Sequence, residues 1–255
     1  MMETTTDYQL LGDIIRHGIS TREFPKTLYK YYRVNVNTIN AIKKPYLWYT
    51  SLDKYNDPYE GLCNPKSDYT LDEINTWMSR ISQARYVSKE HFYKGLNEAM
   101  LADLRNSRVC CFSRKCNDIL MWAHYADSYK GICVEYDLTD LSDVVGYLAP
   151  VQYETTFPEV DYLNDNITAI QQMILTKSKN WKYEREIRAL RDNGSENIVP
   201  ISKAAIKSVI IGPKMQTDTA LYRKLMSIIP KSAQLLRCEV DMKRYKLNMV
   251  PDCDL

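Results

Sequence analysis

The sequence predicts an α+β protein, a single compact domain with a mixed or antiparallel sheet core and helical insertions. Helical and strand patterns alternate irregularly, without the regular βα repeat of a parallel sheet. The chain has 255 residues, of which 45% are hydrophobic and 26% charged, as in ordinary globular proteins that bury one large core. Since no repeat, low-complexity stretch or linker divides the chain, we expect one domain over residues 1–255.

The spacing of apolar residues assigns the elements in order, since helices repeat every 3.6 residues and strands every two. In the first part of the chain we predict a helix over 7–17 ending at Gly18, a strand over 27–34, a short helix after Asn35 or Asn37, a strand over 46–51 and an ordered loop over 51–61. The middle part is predicted to form two helices within 70–105, a strand over 108–113, a helix capped by Asn117 and a strand over 131–137. The last part is predicted to form a polar helical insert over 158–180, strands over 184–190 and 208–213, a helix near 218–229 and a strand pair across 234–250.

Composition and charge disfavour several classes of function. Lys and Arg total 34 against 32 Asp and Glu, so the net charge of +2 does not indicate a nucleic-acid or membrane protein. The chain has only 8 Gly residues, which disfavours folds that hold phosphates with glycine-rich turns. It has 20 Tyr against 4 Phe, and this bias predicts half-buried rings that line a groove.

The expected location is the cytoplasm. The first residues lack the basic and apolar regions of a signal peptide, and no run approaches the roughly 18 apolar residues of a membrane span. The 7 Cys residues are odd in number and show no CxxC spacing, so we expect reduced thiols and no disulfide. We expect no membrane partner and, with only 3 His residues, no metal site.

Signatures of several large enzyme classes are missing from the sequence. It contains no GxxxxGK[ST], GxGxxG, HExxH, GxSxG or zinc-deaminase pattern. P-loop, Rossmann, zincin, α/β-hydrolase and deaminase chemistry are therefore disfavoured.

Five segments combine aromatic and polar residues densely. They are LYKYYR (28–33), YNDPYEG (55–61), CFSRKCNDILMWAHYADSYKG (111–131), VQYE (151–154) and KSKNWKYEREIR (177–188). In order and approximate spacing they resemble the bacterial domain of unknown function 2971 family across about residues 28–212. This sequence departs from the family's KYR in having KYYR. The helix and strands predicted over 213–250 follow this family-like core.

A second, weaker resemblance suggests which reaction the chain could catalyse. Arg33 on a first strand, the step Tyr49-Thr50-Ser51 on the next strand and a late Glu184-x-Glu186 are similar to the layout of ADP-ribosyltransferases. That resemblance implies NAD as the substrate, with the arginine holding its phosphates or ribose. It also implies that the Ser/Thr step supports the nicotinamide pocket. The last glutamate would bind the ribose 2′-hydroxyl and stabilise an oxocarbenium-like transition state.

The candidate site follows from both resemblances. A carboxylate beside the sugar favours the positive charge that develops there, and a guanidinium grips a diphosphate in two places. The candidate catalytic residues are Glu186, Glu184 and Arg33. The candidate NAD-binding residues are Arg33, Tyr49, Thr50, Ser51, Asn56, Asp57, Trp122, His124 and Tyr125.

Each candidate also has a structural interpretation. Arg33 can pair with Asp57 or Glu60 and fix the loop, and His124 can be a core histidine on the face of Met121. Glu184 and Glu186 lie two residues apart, so on a strand they share a face, and the structural interpretation is a solvated face with cross-strand ion pairs.

Three functional hypotheses stay open. The first is an NAD-using transferase or glycohydrolase, such as a toxin or phage-defence effector, with a protein or nucleic acid as acceptor. The second is a metal-independent nuclease or nucleic-acid-binding effector that uses Arg33, His124, Lys177 and Lys179. The third is a non-catalytic module that binds a ligand or partner in a tyrosine-rich groove. The first hypothesis requires Arg33, the Thr50-Ser51 step and a glutamate in one cleft.

Overall fold

The computed structural model describes residues 5–81, 88–191 and 196–252. Its α-helices are Thr5–Ser20 (α1), Val36–Lys43 (α2), Leu71–Ile81 (α3), Lys89–Asn106 (α4), Ile119–Tyr125 (α5), Leu138–Leu141 (α6), Asn166–Leu175 (α7) and Ala220–Met226 (α8). Its strands are Thr27–Tyr32 (β1), Tyr46–Trp48 (β2), Asn64–Pro65 (β3), Arg108–Ser113 (β4), Ile132–Asp137 (β5), Tyr147–Pro150 (β6), Gln152–Glu154 (β7), Glu159–Val160 (β8), Thr176–Ser178 (β9), Glu186–Arg191 (β10), Ile198–Pro200 (β11), Ile206–Ile211 (β12), Gln234–Val240 (β13) and Leu247–Pro251 (β14). Short 3-10 helices cover Leu52–Lys54, Lys179–Glu184 and Lys203–Ala205.

The described residues form one large sheet in the strand order β14-β13-β12-β5-β1-β4-β10-β6. Neighbouring strands are antiparallel except β12 and β13, which run parallel. Short two-stranded pairings join β11 to β2, β3 to β8 and β7 to β9. A mixed sheet with helices around it confirms the predicted α+β class.

Alternation along β1 places its residues in two different apolar clusters, as the two-residue period of a strand requires. Leu28 and Tyr32 pack in the cluster that also holds apolar residues of α1, α2, α6 and α8. Tyr29 and Tyr31 pack in the cluster around α5, where the ring of Trp122 meets the Tyr31 ring edge-on at 5.4 Å. A further cluster joins α3, α4 and α7. The sheet therefore has apolar contacts on both faces.

Most predicted elements are present, but several boundaries differ. The Asn35 side chain caps α2 by accepting a hydrogen bond from the Thr38 N–H at 3.0 Å. Asp118, and not Asn117, caps α5, since its Oδ1 accepts from the N–H of Leu120 at 2.9 Å. Helix α1 continues to Ser20 beyond the predicted end, whereas β2 is shorter than the strand predicted over 46–51.

The structure describes six of the seven cysteines. Cys63, Cys110, Cys111, Cys116, Cys133 and Cys238 are free thiols, and Cys253 lies outside the described residues. None of the described helices combines the length and apolar character needed to cross a membrane.

The sheet opens between β1 and β4. These neighbours are paired at one position, Tyr29 opposite Ser113, whereas β1 pairs with β5 over its whole length. Lys30 spans part of the opening, because its Nζ donates a hydrogen bond to the Cys111 carbonyl of β4 at 2.8 Å. Thr50 forms a β-bridge with Val109, another residue of β4. The separation of these two strands leaves room for a cleft.

Candidate active site

A cleft of about 590 Å³ lies where β1 and β4 separate. Helix α5, the loop after β2 and the segment from β9 to β10 complete its walls. Its aromatic lining consists of Tyr29, Tyr31, Tyr32, Trp48, Tyr55, Phe112, His124 and Tyr125. Its polar lining includes Lys30, Thr50, Lys54, Asn56, Ser113, Lys177, Glu184 and Glu186. The volume and the mostly aromatic walls are typical of a small-molecule site.

A buried charge cluster forms one side of this cleft. It consists of Glu60, Lys177, Glu184, Glu186 and Arg188, whose side chains are at most 6% exposed. Three carboxylates face two cations, so the cluster carries one net negative charge when every group is ionised. Burying charges is costly unless each is paired, and this pairing explains how the cluster is tolerated.

Lys177 is the centre of the cluster. Its Nζ lies 2.6 Å from Glu184 Oε2 and 3.4 Å from Glu186 Oε2. It also lies 3.2 Å from Glu60 Oε1, so all three carboxylates converge on one ammonium group. The same Nζ sits 4.9 Å from the centre of the Trp181 ring, which adds a cation–π contact.

Arg188 binds Glu186 with two nitrogens and also reaches Glu60. Its Nε donates to Glu186 Oε1 at 2.9 Å and its Nη2 to Glu186 Oε2 at 3.1 Å. The Nη2 group is also 2.8 Å from Glu60 Oε1, and Nη1 donates to the Ile174 carbonyl. Both oxygens of Glu186 therefore contact cations, and Arg188 fixes their orientation.

A reversal of the chain brings the two glutamates together. Glu184 ends the 3-10 helix Lys179–Glu184 and does not belong to β10, so the prediction that it lies on a strand with Glu186 is wrong. Between them, Arg185 adopts the left-handed conformation with φ 47° and ψ 49°. This turn, rather than the two-residue period of a strand, directs both carboxylates to Lys177. Both are buried, so the expectation of a solvated face is also wrong.

The environment moves the pKa values of the two glutamates in opposite directions. Burial raises the pKa of Glu184, and the nearby Lys177 offsets this only in part. Burial also opposes ionisation of Glu186, but attraction to Arg188 and Lys177 outweighs it and lowers the pKa to about 2. Such divergence is the pattern of paired carboxylates with different chemical roles. Glu186 is thus held as an anion, while Glu184 is the group closer to exchanging a proton.

The rim of the cleft consists of aromatic groups on α5 and the 3-10 helix Lys179–Glu184. The Tyr125 hydroxyl donates to Glu184 Oε1 at 2.6 Å. His124 Nδ1 is 2.9 Å from the Tyr183 hydroxyl, and the Trp181 and Tyr183 rings are 5.9 Å apart. His124 is exposed and lines the cleft, so the interpretation of it as a core histidine is wrong.

The loop over 51–61 borders the cleft beside α5. Asn56 lines the cleft together with Tyr125 of α5. Asp57 is buried, and its Oδ1 accepts a hydrogen bond from the Tyr59 N–H at 3.0 Å, which holds the turn. Glu60 reaches past this turn into the charge cluster. The loop therefore supports both the rim and the floor of the site.

Arg33 lies outside the residues that line the cleft. It follows the end of β1, its side chain is 69% exposed, and its Nε lies 3.3 Å from Asp127 Oδ1. Asp127 begins a run of left-handed residues after α5, which includes Ser128 and Tyr129. Its ion-pair partner is thus Asp127, and not Asp57 or Glu60. The structure does not bring Arg33 and Glu186 into one pocket.

The other candidate residues divide between the cleft and the core. Thr50, Asn56, His124, Tyr125, Glu184 and Glu186 line the cleft. Tyr49 is fully buried, with its hydroxyl donating to the Val145 carbonyl at 2.9 Å. Trp122 is fully buried and its indole N–H donates to the Cys116 carbonyl at 2.7 Å. Ser51 is buried and its hydroxyl donates to Asp53. These three contacts are structural.

Sequence reasoning missed the charge cluster as a unit. The sequence indicates Lys177 only under the nuclease or nucleic-acid-binding hypothesis and Glu60 only as a possible ion-pair partner of Arg33, and it gives Arg188 no place in the site. The sequence does contain one indication of the cluster, because the family-like segments 55–61 and 177–188 both mix acidic residues with basic or aromatic ones. Lys30 is a further cation of the cleft that the pattern did not single out. In the described part of the chain, no three His, Cys, Asp or Glu side chains are grouped to hold a metal ion.

The fold and the site define an α+β protein with an aromatic cleft and a buried charge cluster. Residues 121–189 match the model of a family described as Protein of unknown function (DUF2971). This confirms the DUF2971 family resemblance for that segment, which contains most of α5, Lys177 and both glutamates. No curated protein and no solved structure gives a significant match.

Proposed function

We propose that this chain cleaves the bond between nicotinamide and ribose in NAD, as an ADP-ribosyltransferase-like or NAD-glycohydrolase-like effector. The observation that carries the proposal is the net negative charge cluster on the wall of a tyrosine-lined cleft. Positive charge develops on the ribose as nicotinamide leaves, and a preorganised carboxylate beside it lowers the barrier. A role in toxicity or phage defence is part of this proposal.

Glu184 is the carboxylate that we assign to the transition state. Both oxygens of Glu186 contact cations, whereas Glu184 Oε1 contacts only the neutral Tyr125 hydroxyl. Glu60 shares the cluster but does not line the cleft. The uncompensated negative charge is therefore most available to a ligand at Glu184. Glu186, Lys177 and Arg188 position it.

The cleft offers suitable contacts for the remaining parts of NAD. Tyrosine rings provide stacking surfaces for nicotinamide or adenine, and their hydroxyls provide hydrogen bonds. Lys30 and Lys54 are the cleft cations available to the diphosphate besides the buried Lys177. Neither Arg33 nor Ser51 lines the cleft, so the arrangement expected from the sequence, with Arg33, the Thr50-Ser51 step and a glutamate in one cleft, is not met. The proposal therefore rests on the carboxylate and the tyrosine-lined cleft, and it gives Arg33 no contact with NAD.

The reaction balances without a metal or redox partner. The C1′–N1 bond breaks and its electron pair leaves with neutral nicotinamide. An oxygen of water, or a nucleophile of a macromolecular acceptor, then bonds to C1′ and releases its proton, which Glu184 is placed to accept. The products are nicotinamide and either ADP-ribose or an ADP-ribosylated acceptor.

The test is nicotinamide release by the purified chain, with and without cell lysate as acceptor, together with calorimetric NAD binding. We expect Glu184→Gln to keep NAD binding and lower turnover by about 10²–10³-fold, the cost of removing one preorganised electrostatic group. Lys30→Met should weaken NAD binding, because it removes a cation used in the ground state as well as the transition state.

Two substitutions outside the cleft serve as matched controls. Glu154→Gln changes an exposed glutamate on β7 and should leave turnover unchanged. Arg33→Ala should leave NAD binding unchanged, in contrast to Lys30→Met. Binding of NAD without nicotinamide release would instead support a non-catalytic module, and absence of both binding and release would overturn the proposal.

A further inference from the structure

A second cavity of about 580 Å³ lies on the other side of α5 from the cleft. Ile119 at the start of α5 lines it, whereas Met121, His124 and Tyr125 of the same helix line the cleft. The remaining walls come from Tyr129, the segment after β12 and the turn between β13 and β14. None of the hypotheses drawn from the sequence used this surface.

Four basic side chains surround this cavity: Lys214, Lys243, Arg244 and Lys246. All four are exposed. The lining residues in the described part of the chain include one carboxylate, Asp241, and its Oδ1 is occupied by the backbone N–H groups of Lys243 and Arg244 at 2.8 and 3.1 Å. The surface therefore presents an excess of positive charge, which favours a polyanionic partner.

Two large apolar side chains project from the same turn. Tyr245 is 102% exposed and Met242 is 91% exposed, so neither packs against the described residues. The turn itself is ordered by the Asp241 N–H, which donates to the Lys246 carbonyl at 3.0 Å. An unpacked tyrosine ring among cations offers a face on which a planar group can stack, while the cations contact phosphates.

We propose that this surface binds single-stranded nucleic acid, with the basic residues on the phosphates and Tyr245 stacked on a base. The positive charge of the surface identifies the partner as polyanionic. The exposed tyrosine ring favours a nucleic acid over an acidic peptide, because a base can stack on it. The concave shape argues against a membrane surface, because a flat bilayer leaves a cavity of this volume unfilled. The site is independent of the proposed NAD chemistry.

Binding is measured by fluorescence anisotropy with labelled ~12-nucleotide oligo-dT and oligo-U, a length within the usual site size, in the absence of NAD. Four phosphate contacts predict that log K falls with log salt at a slope of about −3. Lys243→Glu with Arg244→Glu should lower the magnitude of that slope by about 1.4 and weaken binding strongly. Tyr245→Ala should weaken binding at least about fivefold with the slope kept.

The matched control is Lys224→Glu with Lys231→Glu, which makes the same charge change at exposed positions that do not line the cavity. This control should retain most of the binding, which shows that location rather than net charge matters. Absence of oligonucleotide binding at about 50 mM salt, or equal loss in both double variants, would overturn the proposal. Sedimentation with anionic phosphatidylserine vesicles but no oligonucleotide binding would assign the surface to membranes and overturn it as well.

Discussion

At the scale of single residues, the lowered pKa of Glu186 predicts how the stability of the protein depends on pH. Its folded pKa of about 2 lies below the ordinary 4.5, so it contributes stability that is fully present above pH 4.5 and is lost as the pH falls towards 2. The difference corresponds to a contribution of about 3 kcal/mol. Glu184 has the opposite sign, because its pKa is raised and protonation at low pH relieves a cost.

We therefore expect Glu186→Gln to lower the free energy of unfolding at pH 7 by about 3 kcal/mol, since Arg188 and Lys177 both lose a buried anionic partner and Arg188 keeps only Glu60. It should also reduce the wild-type loss of stability between pH 4.5 and 2. The measurement is urea unfolding across this pH range, with the exposed Glu154→Gln as control. If Glu186→Gln lost as much stability between pH 4.5 and 2 as the wild type, the ion pairing assigned to Glu186 would be contradicted.

At the scale of elements, the connection from α5 to β5 determines where the rim of the cleft lies. Asp127, Ser128 and Tyr129 have positive φ values of 49°, 54° and 73°. Such conformations are costly for residues other than glycine, so neighbouring contacts must hold them. Gly131 follows in close contact with the backbone of Tyr32, and a Cβ built on it would lie 2.2 Å from the Tyr32 carbonyl oxygen.

Gly131→Ala is expected to destabilise the fold by about 2 kcal/mol or more, because the clash is with backbone that cannot rotate away. Gly95→Ala is the matched control, since Gly95 lies in α4 and a Cβ there would meet nothing within 4 Å. That change should stabilise the protein by about 0.5–1 kcal/mol, the difference in helix propensity. Thermal unfolding measures both. Equal effects of the two substitutions would refute the close-approach argument.

At the scale of the whole molecule, the cysteines report on the integrity of the cores. Burial raises the pKa of Cys110 and Cys133 and raises that of Cys238 to about 12. We expect a thiol reagent to titrate all 7 cysteines after denaturation without reductant. In the native protein these three buried thiols should react only as fast as the protein opens. Two thiols fewer after denaturation would reveal a disulfide.

How far the sequence predicts the fold depends on whether the information is local. The spacing of apolar residues predicted α2, α4, β4 and β5 well, because helix and strand periods are properties of adjacent residues. The ends of helices were less predictable where neighbouring residues compete to cap them. Asp118 outcompetes Asn117 at α5, and the 3-10 helix before β10 holds Glu184 outside the strand.

The sequence by itself determined the α+β class and the DUF2971 resemblance, and it named the two glutamates as candidates. Only the tertiary structure decided that both oxygens of Glu186 contact cations, that Glu184 contacts Lys177 with one oxygen and the neutral Tyr125 hydroxyl with the other, and that Arg33 lies outside the cleft. The physical reason is distance along the chain: Arg188 and Glu60 are separated by 128 positions, yet their side chains are 2.8 Å apart. Pairing between buried charges depends on strand order and on how β1 and β4 separate, which no local pattern encodes.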